Sequence, residues 1–142
     1  MVVLIDDRLL VEHLLVGLPA PPERPLMTTS LWYYRACRAG VAGGAGQLAG
    51  PFARLDERHQ AAAIRRLLRL PDEVELPDPR QVVPAMAELS ERHPHLRLLN
   101  LEAAAAAVVA DAEVLLSPAA ARGVLPAVLD AEGAAWSVHT VT

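Results

Sequence analysis

Two adjacent carboxylates, Asp6 and Asp7, occupy the position where residue type and order most directly suggest chemistry. They follow the apolar run Val2–Ile5, whose composition is typical of a strand buried on both faces, as in a parallel sheet covered by helices. In open α/β folds, ligands bind just beyond the carboxyl ends of the strands. Two acids at such a position could hold a metal ion, or one of them could cap the helix that follows.

A third carboxylate, Glu102, is predicted in the first turn of a helix over Leu101–Ala110 that Asn100 caps. The rest of this helix is rich in alanine and valine. An acid in a first turn either interacts favourably with the helix dipole or belongs to a site. Both interpretations stay open for Glu102 at this point.

An aromatic cluster, Trp32-Tyr33-Tyr34, lies in a second predicted helix that runs from Leu31 to about Arg38. Core packing, with the tyrosine hydroxyls at the rim, explains such a cluster. Base stacking or a partner interface is the alternative.

A basic pattern lies on the helix predicted over Glu57–Leu70, which Asp56 caps. Its polar face carries Arg58, Arg65, Arg66 and Arg69. The four arginines form a solvated face or, because the chain is otherwise acidic, a patch that contacts phosphate.

Two further motifs lack the sequence context that their function requires. Residues 44–49 match the relaxed dinucleotide-binding pattern G-x-G-x-x-A, but a helix rather than a strand is predicted before them and Gly50-Pro51 cuts off the helix that should follow. The pair His93 and His95 has zinc-ligand spacing, but no supporting third ligand lies nearby in the sequence.

The composition limits the class of protein. With 142 residues the chain is long enough for one domain, and we predict a single domain over residues 1–142. The hydrophobic content of 53% excludes disorder of the whole chain, and the net charge of −4 argues against a surface that binds nucleic acid throughout. One cysteine and no long apolar run indicate a cytoplasmic protein without a membrane segment.

Hydrophobic periodicity and turn residues predict an alternation of strands and helices, and therefore an α/β fold. Strands are predicted at residues 2–5, 74–76, 113–116 and 135–141, the last near a sheet edge. Helices are predicted directly after Asp7 and over residues 31–38, 57–70, 79–92, 101–110 and 119–131.

This order of elements resembles the PIN domain, a family of metal-dependent ribonucleases that includes toxins of bacterial toxin–antitoxin pairs. The resemblance implies a three-layer α/β/α sandwich with a mainly parallel central sheet. It rests on Val-Val-Leu-Ile-Asp6, on Asn100-Leu101-Glu102-Ala103, and on Ser117 at the end of the penultimate strand. The separation of 117 − 102 = 15 residues between Glu102 and Ser117 is common in the family.

The resemblance also assigns roles. It implies that Asp6 and Glu102 are catalytic and bind Mg²⁺ or Mn²⁺, that Ser117 lines the site, and that Asp7 or Asp111 supplements the ligands. Arg35 occupies the position at which the family carries a second acid. An arginine there would pair with a carboxylate and supply the positive charge of the metal. On this basis we predict that Asp6 faces the pocket, that Asp7 caps the helix and that Arg35 lies near Asp6.

Three functions follow as hypotheses. The first is a degenerate PIN-like domain with reduced or lost nuclease activity, which needs no cofactor and binds RNA, nucleotide or a protein partner such as an antitoxin. The second is an active endoribonuclease that uses Asp6 and Glu102 with Mg²⁺ or Mn²⁺. The third is an unrelated α/β binding module whose acids only cap helices. By analogy with the family, a homodimer is also expected.

Overall fold

The computed structural model describes residues 1–16, 23–42 and 55–139. In chain order the elements of these ranges are β1 Val3–Ile5, α1 Asp7–Val16, β2 Leu26–Met27, α2 Ser30–Val41, α3 Glu57–Leu68, β3 Val74–Glu75, α4 Pro79–Arg92, α5 Leu98–Ala110, β4 Glu113–Leu116, α6 Pro118–Ala121, α7 Leu125–Ala131 and β5 Trp136–Val138. None of these helices is long and apolar enough to cross a membrane. The glycine-rich motif at 44–49 lies outside the described residues.

β1 is the central strand of a five-stranded sheet with the order β3-β2-β1-β4-β5, in which every pair of neighbours is parallel. The prediction of a parallel α/β sheet built around residues 2–5 is confirmed. Because β2 and β3 lie on one side of β1 and β4 and β5 on the other, the order of the strands reverses between β1 and β4. The carboxyl ends of these two strands therefore form the edge at which open α/β sheets bind ligands.

Helices cover both faces of the sheet, which makes the fold a three-layer α/β/α sandwich. Val3 and Ile5 face α1, α2 and α3, whereas Leu4 faces α4, α5 and α7. All three β1 side chains are fully buried, which explains why the strand is continuously apolar. In α5, the five residues Ala103–Ala107 are at most 1% exposed, and their small side chains allow the helix to lie close to the sheet.

The structure corrects two predicted helices. α5 begins at Leu98 rather than Leu101, after Arg97, which makes no side-chain capping bond, so Asn100 lies inside the helix and does not cap it. Packing of Leu99 and Leu101 against the core outweighs the capping preference of asparagine. The final helix is divided into α6 and α7, and Pro126 lies in the first turn of α7, where a missing N–H is tolerated.

An ionic cluster joins the end of α4 to the end of α7. Glu132 Oε1 accepts a hydrogen bond of 2.7 Å from Arg92 Nη2, and Glu132 Oε2 lies 2.9 Å from His93 Nε2. The hydrogen bonds with Arg92 and then His93 lower the pKa of Glu132 from 4.5 to about 2. His93 therefore has a carboxylate partner within the protein. Among the described residues, no group of three or more His, Cys, Asp or Glu side chains could hold a metal ion.

Glu132→Gln is expected to lower stability at neutral pH and to remove an acid-sensitive contribution. Because the pKa of Glu132 is lower in the folded state, its contribution is complete above the unfolded value near 4.5 and is lost as pH falls towards about 2. The Arg92 side chain is 53% exposed, so solvent screens this ion pair and we expect about 1 kcal/mol. Urea unfolding of the wild type and variant measures the difference across this range. A difference that stays constant with pH would contradict the assignment.

Candidate functional site

A cleft of about 220 Å³ opens at the carboxyl ends of β1 and β4, where the order of the strands reverses. Its walls come from the starts of α1, α2 and α5 and from α6 and the turn after it. It is lined by Asp7, Arg8, Trp32, Arg35, Leu99, Asn100, Ser117, Ala119, Ala120, Gly123 and Val124. Of the residues predicted for the site, Asp7, Arg35 and Ser117 line this cleft.

Asp6 lies beneath the cleft, is fully buried, and accepts three hydrogen bonds. Its Oδ1 accepts from the backbone N–H of Leu9 at 2.9 Å, and its Oδ2 accepts from the backbone N–H and the hydroxyl of Ser117 at 2.8 and 2.6 Å. Asp6 thus caps α1 and joins the ends of β1 and β4. The predicted roles of the two acids are reversed, because Asp6 is the helix cap and Asp7 is the acid in the cleft wall.

Asp7 is the first residue of α1, and its carboxylate contacts Arg35 of α2. Asp7 Oδ2 lies 3.2 Å from Arg35 Nε, a contact that is an ion pair rather than an aligned hydrogen bond. Burial and then the charge of Asp6 raise the pKa of Asp7, and Arg35 opposes them only in part. The expected partner of Arg35 was Asp6, whereas the structure places its guanidinium against Asp7.

Asp7→Asn is expected to change the pH dependence of stability in a defined direction. Because the pKa of Asp7 is higher in the folded protein than its ordinary 3.8, the folded state holds this proton longer than the unfolded chain. Wild-type stability therefore falls, relative to the variant, as pH rises from about 4 through the raised pKa. Urea unfolding of both proteins over this range tests the expectation. A wild type that gains on the variant with rising pH would show that the Arg35 contact dominates.

Glu102 is 9% exposed and lies in the second turn of α5, because that helix begins earlier than predicted. Its Oε1 accepts a hydrogen bond of 2.8 Å from the backbone N–H of Leu31 in the first turn of α2. An acid beside the first N–H groups of a helix satisfies an otherwise unpaired donor and interacts favourably with the helix dipole. Glu102 thus supports α2, whose start is also capped by Thr29.

Asp111 does not belong to this site. It follows α5 with φ at +49° and lies before β4, at the opposite edge of the sheet. There it lines a second cavity of about 180 Å³ together with Met1 and Glu132. The expectation that Asp111 supplements the ligands of Asp6 is therefore wrong, because the length of α5 carries it away from the carboxyl edge.

The aromatic cluster separates into three roles. Trp32 is 3% exposed and lines the cleft, whereas Tyr33 donates a hydrogen bond of 2.8 Å to the Leu67 carbonyl. Burial raises the pKa of Tyr33. Tyr34 is 59% exposed and is the most exposed of the three side chains. A helical period of 3.6 residues already implies that three consecutive residues face different directions.

Protein contacts already engage the oxygens of Asp6 and Asp7 that a divalent cation at this edge would need. Mg²⁺ and Mn²⁺ require several oxygen ligands, and a carboxylate must direct its lone pairs to the ion. Both oxygens of Asp6 accept protein hydrogen bonds, and the free oxygen of Asp7 faces a guanidinium.

Two residues that line the cleft, Arg8 and Asn100, were not predicted as site residues. Arg8 follows the two acids directly in the sequence, and that position is the signal that could have identified it. Asn100 was missed because it was predicted as a helix cap, whereas the helix begins earlier, at Leu98.

Comparisons with known proteins give a likeness of fold. No family model matches the sequence, and no curated protein matches it. Among solved structures, the structure of VapBC-1 from nontypeable Haemophilus influenzae contains a similar chain, with a TM-score of 0.57 and 12% sequence identity. The alignment covers 97% of this chain and 98% of the matched chain. At this identity the likeness shows the fold alone. The fold of this chain is similar to that of the matched chain in the VapBC-1 structure.

Proposed function

We propose that this chain is a degenerate PIN-like domain that acts as a binding or regulatory module rather than as a metal-dependent nuclease. The observation that carries the proposal is the arrangement of Asp6, Asp7 and Arg35. Asp6 accepts three protein hydrogen bonds. Arg35 occupies the position at which the resemblance places an additional acid, and its guanidinium lies 3.2 Å from Asp7. The positive charge at this edge is supplied by the protein itself.

The fold supports a partner of the antitoxin kind. VapBC-1 is a structural neighbour, and the PIN family that the sequence resembles includes toxins that pair with antitoxins. The cleft and the exposed ring of Tyr34 are the surfaces we assign to partner contact. Aromatic residues are enriched in the buried centres of protein interfaces, and a tyrosine adds a hydroxyl that can pair at the rim.

An RNA-cleavage assay tests the loss of hydrolysis. The protein is incubated with a mixed-sequence RNA and Mg²⁺ or Mn²⁺, with chelator in a parallel reaction. We expect the same background of cleavage with metal, with chelator, and in the Asp6→Asn and Glu102→Gln variants. Two variants are used because Asp6 is also structural, and circular dichroism confirms that each is folded.

The competing function is an endoribonuclease that uses Asp6 and Glu102 with Mg²⁺ or Mn²⁺. Cleavage that requires metal, is abolished by chelator and is lost in the folded Glu102→Gln variant would establish that function and overturn the proposal. Generation of hydroxide and stabilisation of the leaving oxygen by the metal would then explain the reaction.

A further inference from the structure

α3 and its C-cap residue carry a line of exposed arginines on the side opposite the buried face of the helix. At 100° per residue, Arg58 and Arg65 point within about 20° of each other. Arg69 is the C-cap residue that follows α3, and it extends the line of arginine Cα positions to about 16 Å. All three are exposed, whereas Leu67, which points in the opposite direction, is 2% exposed. We call Arg58, Arg65 and Arg69 the arginine stripe. The residues beside it are exposed and small or apolar, namely Ala61, Ala62 and Leu68.

The charge of the arginine stripe is not neutralised within the described parts of the chain, where none of its three side chains forms an ion pair. The neighbouring Arg66 differs, because it contacts Glu73 and the Leu14 carbonyl. Arginines near the end of a helix interact favourably with the helix dipole, which accounts for Arg65 and Arg69. Arg58 lies in the first turn, where the dipole opposes a cation, so the dipole does not explain the whole stripe.

We propose that the arginine stripe docks an acidic amphipathic helix of a partner protein. The inference rests on the proposed function of a binding module and assigns it a second contact surface. A partner helix with carboxylates spaced i, i+7 and i+11 presents its charges at the spacing of the stripe. Ala61 and Ala62 allow the partner's backbone to approach closely, and Leu68, 47% exposed, offers an apolar contact.

An acidic helix fits this surface better than nucleic acid. The whole chain has a net charge of −4, which repels a long polyanion more strongly than a short helix with a few carboxylates. Non-specific binding of single strands also relies on aromatic side chains on which bases stack. Within the described part of α3, from Glu57 to Leu68, there is no aromatic side chain apart from His59, which pairs with Asp56.

The test uses the full chain and a fluorescent, stapled helical peptide with glutamates at i, i+7 and i+11 beside one leucine. An isomer with the same residues distributed around the helix controls for charge, and a short poly-uridine RNA controls for polyanion binding. The variant is Arg58→Gln/Arg65→Gln/Arg69→Gln. The matched control is Arg80→Gln/Arg97→Gln/Arg122→Gln, which removes three exposed charges outside the stripe. Circular dichroism and Tm confirm that both are folded.

We expect the one-face peptide to bind the wild type with a Kd at least about fivefold lower than the isomer, and to weaken at higher salt. The stripe variant should lose at least about fivefold in affinity, and the matched control less than about twofold. Equal binding of the two peptides, equal loss in both variants, absence of binding to the wild type, or tighter stripe-dependent binding of the RNA would each overturn the proposal. Failure of the proposed function would appear separately, as metal-dependent RNA cleavage.

Discussion

Replacing Asp6 with alanine is expected to lower the free energy of unfolding by roughly 3 kcal/mol or more, the sum of a lost helix cap and buried donors without acceptors. Asp6 is fully buried and accepts hydrogen bonds from Leu9 N–H and from the N–H and hydroxyl of Ser117. Alanine leaves these donors unpaired and leaves α1 without a capping side chain. It also removes the side-chain link between the ends of β1 and β4, which stay paired through their backbones. Urea unfolding at neutral pH measures the change.

The matched control for this substitution is Asp78→Ala. Asp78 is also a helix N-cap, but it is exposed and accepts one bond, from Arg80 N–H at 2.9 Å. An exposed cap contributes about 1 kcal/mol, so the excess loss in Asp6→Ala measures the buried network. Equal losses in the two variants would show that Asp6 acts only as a cap and that its bonds to Ser117 contribute little.

Arg35→Glu is expected to lower stability by roughly 2 kcal/mol without metal and to make the protein responsive to Mn²⁺. Arg35 Nε lies 3.2 Å from Asp7 Oδ2, and the pKa of Asp7 is already raised by burial and by Asp6. The substitution removes the opposing cation and adds a carboxylate beside others. A divalent ion would then relieve the repulsion, and saturating Mn²⁺ should raise Tm by about 5 °C or more.

Arg35→Gln separates loss of the cation from gain of an acid. It should be destabilised less than Arg35→Glu, and its Tm should not respond to Mn²⁺ beyond the wild type. Differential scanning fluorimetry with Mn²⁺, and with chelator added afterwards, gives both readings. If Mn²⁺ stabilises the wild type as much as Arg35→Glu, then Arg35 does not take the place of a metal ion.

Periodicity and turn residues were sufficient to predict most of the fold. The run at residues 2–5 is apolar because helices cover both faces of β1, and that pattern predicted a central parallel strand. β2 was not predicted, because its two residues follow a proline-rich segment and are too short to show a period. The final helix was predicted over residues 119–131, with a break or kink implied by Pro126, whereas the structure places the break before that proline, between α6 and α7.

The candidate site was less predictable, because it depends on which way adjacent side chains point. The sequence placed Asp6, Asp7 and Ser117 at one edge of the sheet, as the structure does. The exchange of roles between Asp6 and Asp7 depends on a helix start that differs by one residue, which sequence patterns do not resolve. The contact between Arg35 and Asp7 joins two helices, and no local pattern specifies it.

The most direct test of the account is a calorimetric titration of the wild-type protein with Mn²⁺, with Asp6→Asn as the site control. If Asp6 is fully occupied by Leu9 and Ser117 and Asp7 by Arg35, the wild type should show no one-to-one binding up to about 1 mM Mn²⁺. A one-to-one isotherm with a Kd below about 100 μM that disappears in folded Asp6→Asn would contradict the account and would restore this edge of the sheet as a metal site.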